Sequence, residues 1–289
     1  MYFLVIAICA SVAVSLLLKL VRKTKIEIAQ IVFWNYIAAA LIAYFFLDYN
    51  NIDAKSIILK SNLYLFFALG LLLPSVFIFM GKAVQSSGVA KADTANRLSL
   101  ILGIIASFVL FGQALNYITI GAIILAFIAL LMLLNKPKVP LRLDFKSQEQ
   151  HTAVWLFLVW LGYGVIDIIF KIMAVKNTIA LLGGVFVLAA ILMFIYLLLT
   201  RTKFNFSSLL VGLLLGCLNF TNIYTYIRAH QELHQETAFV FTTMNIGVII
   251  LSLVAGIIFF REKLTKINLL GIVISLFAIF ALYYGSRLI

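Results

Sequence analysis

This sequence has little acid, little charge of either sign and almost no proline. Asp and Glu number ten among 289 residues, and charged residues of all kinds make up 11%. A soluble domain carries about a quarter, so a water-facing globular surface is excluded. Three histidines and two cysteines complete the short supply of reactive groups. Cys9 and Cys217 both fall inside apolar runs, so they form neither a disulfide framework nor a zinc site. His151, His230 and His234 fall in loops or at helix ends. No paired membrane acids and no nucleophile with a neighbouring base occur, so nothing points to an enzyme, a cofactor or a resident metal. His230 and His234 have the i,i+4 spacing of metal ligands, but not the HExxH order, and HQELH reads as a solvated outer loop. A secretory leader is also excluded, because Lys19, Arg22, Lys23 and Lys25 follow the first apolar run rather than precede it.

Apolar residue is what the chain has, at 65%. It comes in runs of 17 to 24 residues, far longer than the roughly 10 alternating residues of a barrel strand. In hydrocarbon every backbone N–H and C=O must find a partner inside the structure, and runs of this length satisfy that as helices. The sequence predicts ten spans: 2–18, 28–47, 63–80, 94–111, 117–134, 152–173, 179–199, 207–227, 237–260 and 267–285. The fold class is therefore all-α integral membrane. Pro74 is expected to kink the third span.

The net charge of +12 would suggest nucleic acid on a soluble protein, but here the charges sit between apolar runs. Odd-numbered loops hold 16 of the 22 Lys and Arg, which places them in the cytoplasm and both termini outside. Arg97, near the cytoplasmic mouth, is expected to snorkel.

The break Asn135–His151 divides the chain into a first five-helix repeat (1–135), a connecting loop (136–151) and a second repeat (152–289). Shifted by 149 residues, Thr94, Asn96, Ala106 and Leu115 meet Thr243, Asn245, Ala255 and Leu264; one added residue later, Gly121 meets Gly271. Five helices per half is odd, so the second half enters the membrane in the opposite sense. Inverted repeats are a common architecture of secondary transporters, with the site expected near the midplane between them. A stripe of Asn96, Ser99, Gly103 and Ser107 repeats as Asn245, Val248, Ser252 and Gly256; it serves either as a close-packing seam or as a polar lining.

At these residues the sequence resembles the EamA family of the drug/metabolite transporter superfamily. The resemblance is carried by NIGVIILSLVAGIIFFREKLTKINLLGIVISLFAIFAL, with Glu262, Leu264 and Gly271 in a helix, Glu-x-Leu loop, Gly-containing helix arrangement, and by GVAKADTANRLSLILG at 88–103. Gln113 stands where the first copy usually has Glu, and the proline often seen early in the fourth and ninth helices is missing. The resemblance implies ten helices in two five-helix copies, and transport of small organic metabolites or drugs.

Candidate substrate contacts are polar or aromatic groups inside spans. Asp167 and Lys171 stand four apart on the sixth; they are a substrate or proton contact, or a neutralised pair with Lys171 snorkelling. Asn219, Asn222 and Tyr226 share a face of the eighth, as a substrate wall or as interhelical hydrogen bonding. Trp34, Asn35, Trp160 and Tyr163 offer aromatic and amide contacts, and Asn96 and Asn245 occupy equivalent places in the two copies. The function expected is alternating-access transport of a small organic solute across the cell membrane, through a cavity lined by spans two, four, six, eight and nine. A proton or another ion is a candidate for coupling. The partners are then the solute and the lipid bilayer, with no nucleic acid and no cofactor. The other reading is a non-transporting membrane scaffold or assembly partner.

Overall fold

The computed structural model describes residues 1–21, 27–46, 60–134, 151–176, 179–202, 204–260 and 265–285. The connecting loop at 136–151, except His151, lies outside the described residues, as do Glu262 and Leu264. Every regular element among the described residues is helical: α1 (Tyr2–Val21), α2 (Ile28–Phe46), α3 (Lys60–Ser87), α4 (Val89–Leu98), α5 (Leu100–Val109), α6 (Tyr117–Leu133), α7 (Thr152–Val175), α8 (Leu181–Leu199), α9 (Phe206–Glu232), α10 (Thr237–Phe260) and α11 (Lys266–Gly285). Taking α4 and α5 as one run, nine are long and apolar enough to cross a membrane, and α6 is a shorter apolar helix.

The boundaries follow local chemistry. Gly88 adopts φ 83°, a conformation that costs glycine little; it stops α3 and opens α4. Asn116 caps α6, its Oδ1 accepting from the Thr119 N–H at 2.7 Å. Thr265 and Asn268 open α11 with a reciprocal box: Thr265 N–H donates to Asn268 Oδ1 at 3.2 Å, and Asn268 N–H to Thr265 Oγ1 at 3.1 Å. Helix α3 runs through Pro74, and just beyond it Ser75 Oγ donates to the Leu71 carbonyl at 2.7 Å.

The chain forms two compact units. One comprises Met1, Ala83–Gly164 and Glu232–Ile289, the other Tyr2–Lys82 and Val165–Gln231. Each therefore draws on both halves of the sequence, and the boundary falls inside α3 and α7 and at the last residue of α9.

In the first unit, α6 lies antiparallel to α11. The N-terminal Asn116 of α6 donates to the Gly285 carbonyl at the end of α11 at 2.7 Å. The N-terminal Asn268 of α11 donates to the Met132 and Leu133 carbonyls at the end of α6, at 3.0 and 3.2 Å. In the second unit, α2 runs antiparallel to α8, with Phe33 against Phe194 at 5.7 Å and Tyr36 stacked on Phe186 at 6.4 Å between ring centres. Helix α9 runs parallel to α2 at closest approach: a Cβ on Gly212 would strike Trp34, and one on Gly216 would lie 2.5 Å from the Asn35 carbonyl. Small residues at these two positions let the backbones approach, which is how helices pack where lipid supplies no hydrophobic drive.

Candidate functional site

Two groups of polar side chains sit inside these apolar helices, one in each unit. In the second unit, α7 and α9 run side by side and each carries a polar pair one turn apart. Asp167 and Lys171 are on α7; Tyr226 and His230 are on α9. Asp167 lies within electrostatic reach of Tyr226, and Lys171 within electrostatic reach of His230. Tyr226 and His230 contact each other with ring centres 4.8 Å apart, and Phe170 meets Tyr226 edge-on at 6.4 Å. One turn further, Gln231 Nε2 donates to the Ala174 carbonyl at 3.5 Å, which fixes the register of the two helices. Lys171 is 1% exposed, His230 0% and Tyr226 3%, while Asp167 is half-buried.

Two expectations change here. Lys171 does not snorkel to the surface, because it lies within the packing of α7 against α9. His230 is not in a solvated loop: α9 continues to Glu232, five residues past the expected end of the span, and carries His230 into the interior. His234 lies beyond the helix and is exposed, so the two histidines share no helix face. Among the described residues no three His, Cys, Asp or Glu side chains gather as metal ligands. His230 was missed because Arg228, Gln231 and Glu232 read as the end of a span. The signal that could have found it is its i,i+4 spacing from Tyr226, matching Asp167 and Lys171 on the sixth span.

Further along α9, toward its middle, the same unit presents amides. Asn35 is wholly buried, and neither atom of its side-chain amide has a hydrogen-bond partner among the described residues. The Trp34 Nε1 and the Tyr226 hydroxyl are likewise buried without such a partner. Asn219 is nearly buried, one turn from the Gly216 that contacts Asn35, and Asn222 is half-buried. Ten residues of helix separate Gly216 from Tyr226, about 15 Å at 1.5 Å per residue. The second unit thus holds its candidates at two levels, an amide level around Asn35 and Asn219 and an ionisable level around Asp167 and Tyr226.

The first unit holds the remaining candidates. Asn245 is buried, its Nδ2 donating to the Phe241 carbonyl one turn back at 3.1 Å. Asn96 and Tyr163 are half-buried. Trp160 donates its indole N–H to the Leu98 carbonyl at 3.0 Å. Ser99 and Ser107 are buried, and Gly103 lies against the Phe241 ring, so the small-residue stripe of the fourth span serves as a packing seam. Arg97 does not snorkel either; its side chain is 12% exposed and turns back toward Asp93, with Nε 3.6 Å from the carboxylate. Gln113 accepts from the Ala238 N–H at 2.8 Å and so caps the start of α10.

The sequence and fold have relatives. The chain is 46% identical over 296 residues to an uncharacterized protein of Haemophilus influenzae, with both chains covered in full. A protein crystal structure superposes with a TM-score of 0.79, covering 99% of this chain and 96% of that one; at 12% identity this establishes a shared fold alone. The model of the EamA-like transporter family matches residues 1–135 and again residues 151–284. Proteins of that family are membrane transporters, not enzymes. With both halves of its sequence matched and its described helices long and apolar, this multi-pass membrane protein belongs to the EamA-like transporter family.

Proposed function

We propose that the protein is a secondary transporter that moves a small organic solute across the cell membrane by alternating access. One observation carries this reading: polar side chains are buried in the second unit with hydrogen-bonding capacity that the described residues leave unused. Both atoms of the Asn35 amide, the Trp34 indole N–H and the Tyr226 hydroxyl are in this state. A buried polar atom without a partner costs about 1–3 kcal/mol, and a scaffold packed for stability gains nothing by keeping four of them. A solute, with the water that accompanies it, supplies the missing partners. The architecture supports the same reading. Ten spans in two inverted five-helix repeats make α6 and α11, and α2 and α8, repeat mates, and antiparallel mates are what inversion produces. The repeats are 1–135 and 152–289, with the loop at 136–151 between them. In the proposed orientation both termini lie outside.

Purified protein reconstituted in liposomes preloaded with a mixed metabolite pool tests this. Mass spectrometry of the external medium should show one solute, or one chemical class, leaving faster than from protein-free vesicles. Replacing Asn35 with Leu should abolish the difference while the protein stays folded. Efflux equal to that of empty vesicles, from either direction of loading and with or without a proton gradient, rejects transport and leaves the scaffold.

A further inference from the structure

The fourth span is broken at Ser99, and the break has a specific partner. Helix α4 ends at Leu98 and α5 begins at Leu100. At the junction the ladder tightens: the Ser99 N–H donates to the Asn96 carbonyl at 3.2 Å, and the Leu102 N–H donates to the Ser99 carbonyl at 2.9 Å. Both are three-residue steps in place of four. Ser99 Oγ reinforces the first, donating to the same Asn96 carbonyl at 2.5 Å. A serine that bonds back along its own helix bends it.

The tightening redirects the Leu102 N–H, which in a continuous α-helix would reach the Leu98 carbonyl. That carbonyl lies within the fourth span, seven residues from its start at Lys91, and a span carbonyl that loses its helical bond needs another partner inside the structure. It accepts instead from the Trp160 indole on α7, at 3.0 Å. The helices close up immediately beyond. One turn after Trp160, Gly164 lies directly against the Leu102 side chain, and Gly103 lies against the Phe241 ring of α10. All of these residues belong to the first unit.

We infer that Ser99 is a hinge in the fourth span and that Trp160 is a positioning residue, the latch that holds the hinge bent. Trp160 then acts through the Leu98 carbonyl and not by touching solute. The arrangement has two self-consistent states. Bent, the Leu98 carbonyl is taken by Trp160; straight, it is taken by the Leu102 N–H, and the indole is released. A two-state element of this kind is what a change of access requires. The inference rests on the transport reading for its purpose but not for its test.

The test is a distance measurement that needs no solute. Cys9 and Cys217, both exposed, are replaced by alanine, and nitroxide labels are placed at Lys91 and Val109, both exposed at the two ends of the span. A straight helix sets their Cα atoms about 27 Å apart, at 1.5 Å per residue, and a bent one sets them closer. Pulsed electron–electron resonance of the otherwise native protein should show a main short distance. Trp160→Phe should shift the distribution toward the straight-helix value and broaden it. Incorporating benzothienylalanine at position 160 keeps the bicyclic shape and removes only the N–H, so it guards against a packing artefact. It should reproduce the shift. A native distribution with benzothienylalanine overturns the latch, whatever the phenylalanine variant does. A shift without any solute efflux in the liposome assay keeps the hinge and removes the transport reading.

Discussion

Asn116 and Asn268 hold opposite ends of the same helix pair. Asn116 reaches from the start of α6 to the last carbonyl of α11 at 2.7 Å, and Asn268 from the start of α11 to the Met132 carbonyl near the end of α6 at 3.0 Å. Asn116 corresponds to Thr265 under the repeat shift, so the amide sits at the cap in one copy and three residues in at the other. An amide–carbonyl bond between the two helices is thus made at each end of the pair. Carbonyls at a helix C-terminus have no partner in their own helix, and in or near lipid an amide from the neighbour supplies one.

Asn116→Ala and Asn268→Ala should each therefore destabilise the protein by about 1–2 kcal/mol, the cost of a lost cap together with an emptied carbonyl. The sites lie at opposite ends of a 17-residue helix, about 25 Å apart at 1.5 Å per residue, so the double variant should show the sum. Thermal unfolding in detergent measures all three. A marked shortfall from additivity would show that the two ends open together.

The apolar helices and the similarity of the two halves were legible in the sequence because they depend on residue type at fixed spacing. An apolar run of 20 residues reads as a helix, but the caps Asn116 and Asn268 show only in the structure. The break at Ser99 was not legible. Serine inside an apolar run has no fixed meaning, since it can face a neighbour or bond its own backbone. The indole that takes the freed Leu98 carbonyl comes from Trp160, 61 positions from Ser99. His230 was misread, and of the two readings of Lys171 the snorkelling one fell, for a related reason. A charged or titratable side chain near a helix end is ordinarily at the interface, and only the parallel packing of α7 on α9 turns both inward. Trp160 was legible as a polar aromatic inside a span, but not the hydrogen bond from its indole to the Leu98 carbonyl.

Tyr226→Phe and Asn35→Leu separate solute contacts from structural bonds. Neither side chain's polar atoms have a hydrogen-bond partner among the described residues. Removing them should leave the unfolding temperature unchanged or raise it, since an unsatisfied buried group disappears. Affinity for the solute identified by efflux should fall by roughly five- to 150-fold, the equivalent of about 1–3 kcal/mol. If either variant is strongly destabilised instead, that side chain has a structural partner and is not a solute contact.

Orientation is accessible to labelling. His234 and Arg201 are both exposed, beyond the ends of α9 and α8. In a background with Cys9 and Cys217 replaced, His234→Cys should react with an impermeant maleimide on intact cells, and Arg201→Cys only after permeabilisation. The expectation comes from the 16 of 22 basic residues in odd-numbered loops. Reversed reactivity would invert the protein in the membrane and leave every contact described above in place.

The α7–α9 quartet distinguishes a structural pair from a functional acid. If Asp167 is the countercharge of the buried Lys171, Asp167→Asn strands that ammonium, which should cost about 3–5 kcal/mol and lower expression. Lys171→Gln does the reverse but should cost less, because Asp167 is half-buried and keeps some access to solvent. The double variant carries no buried charge at these positions, so its stability should return to within about 1 kcal/mol of native. Flux then decides the matter. If Asp167 only neutralises Lys171, the double variant transports as well as the native protein. If Asp167 carries a proton or contacts a cationic part of the solute, the double variant is stable and silent. A His230→Gln variant completes the comparison. Tyr226 and His230 are in ring contact at 4.8 Å, so a relay running through the quartet would lose flux at His230 as well. An acid acting alone would lose it only at Asp167.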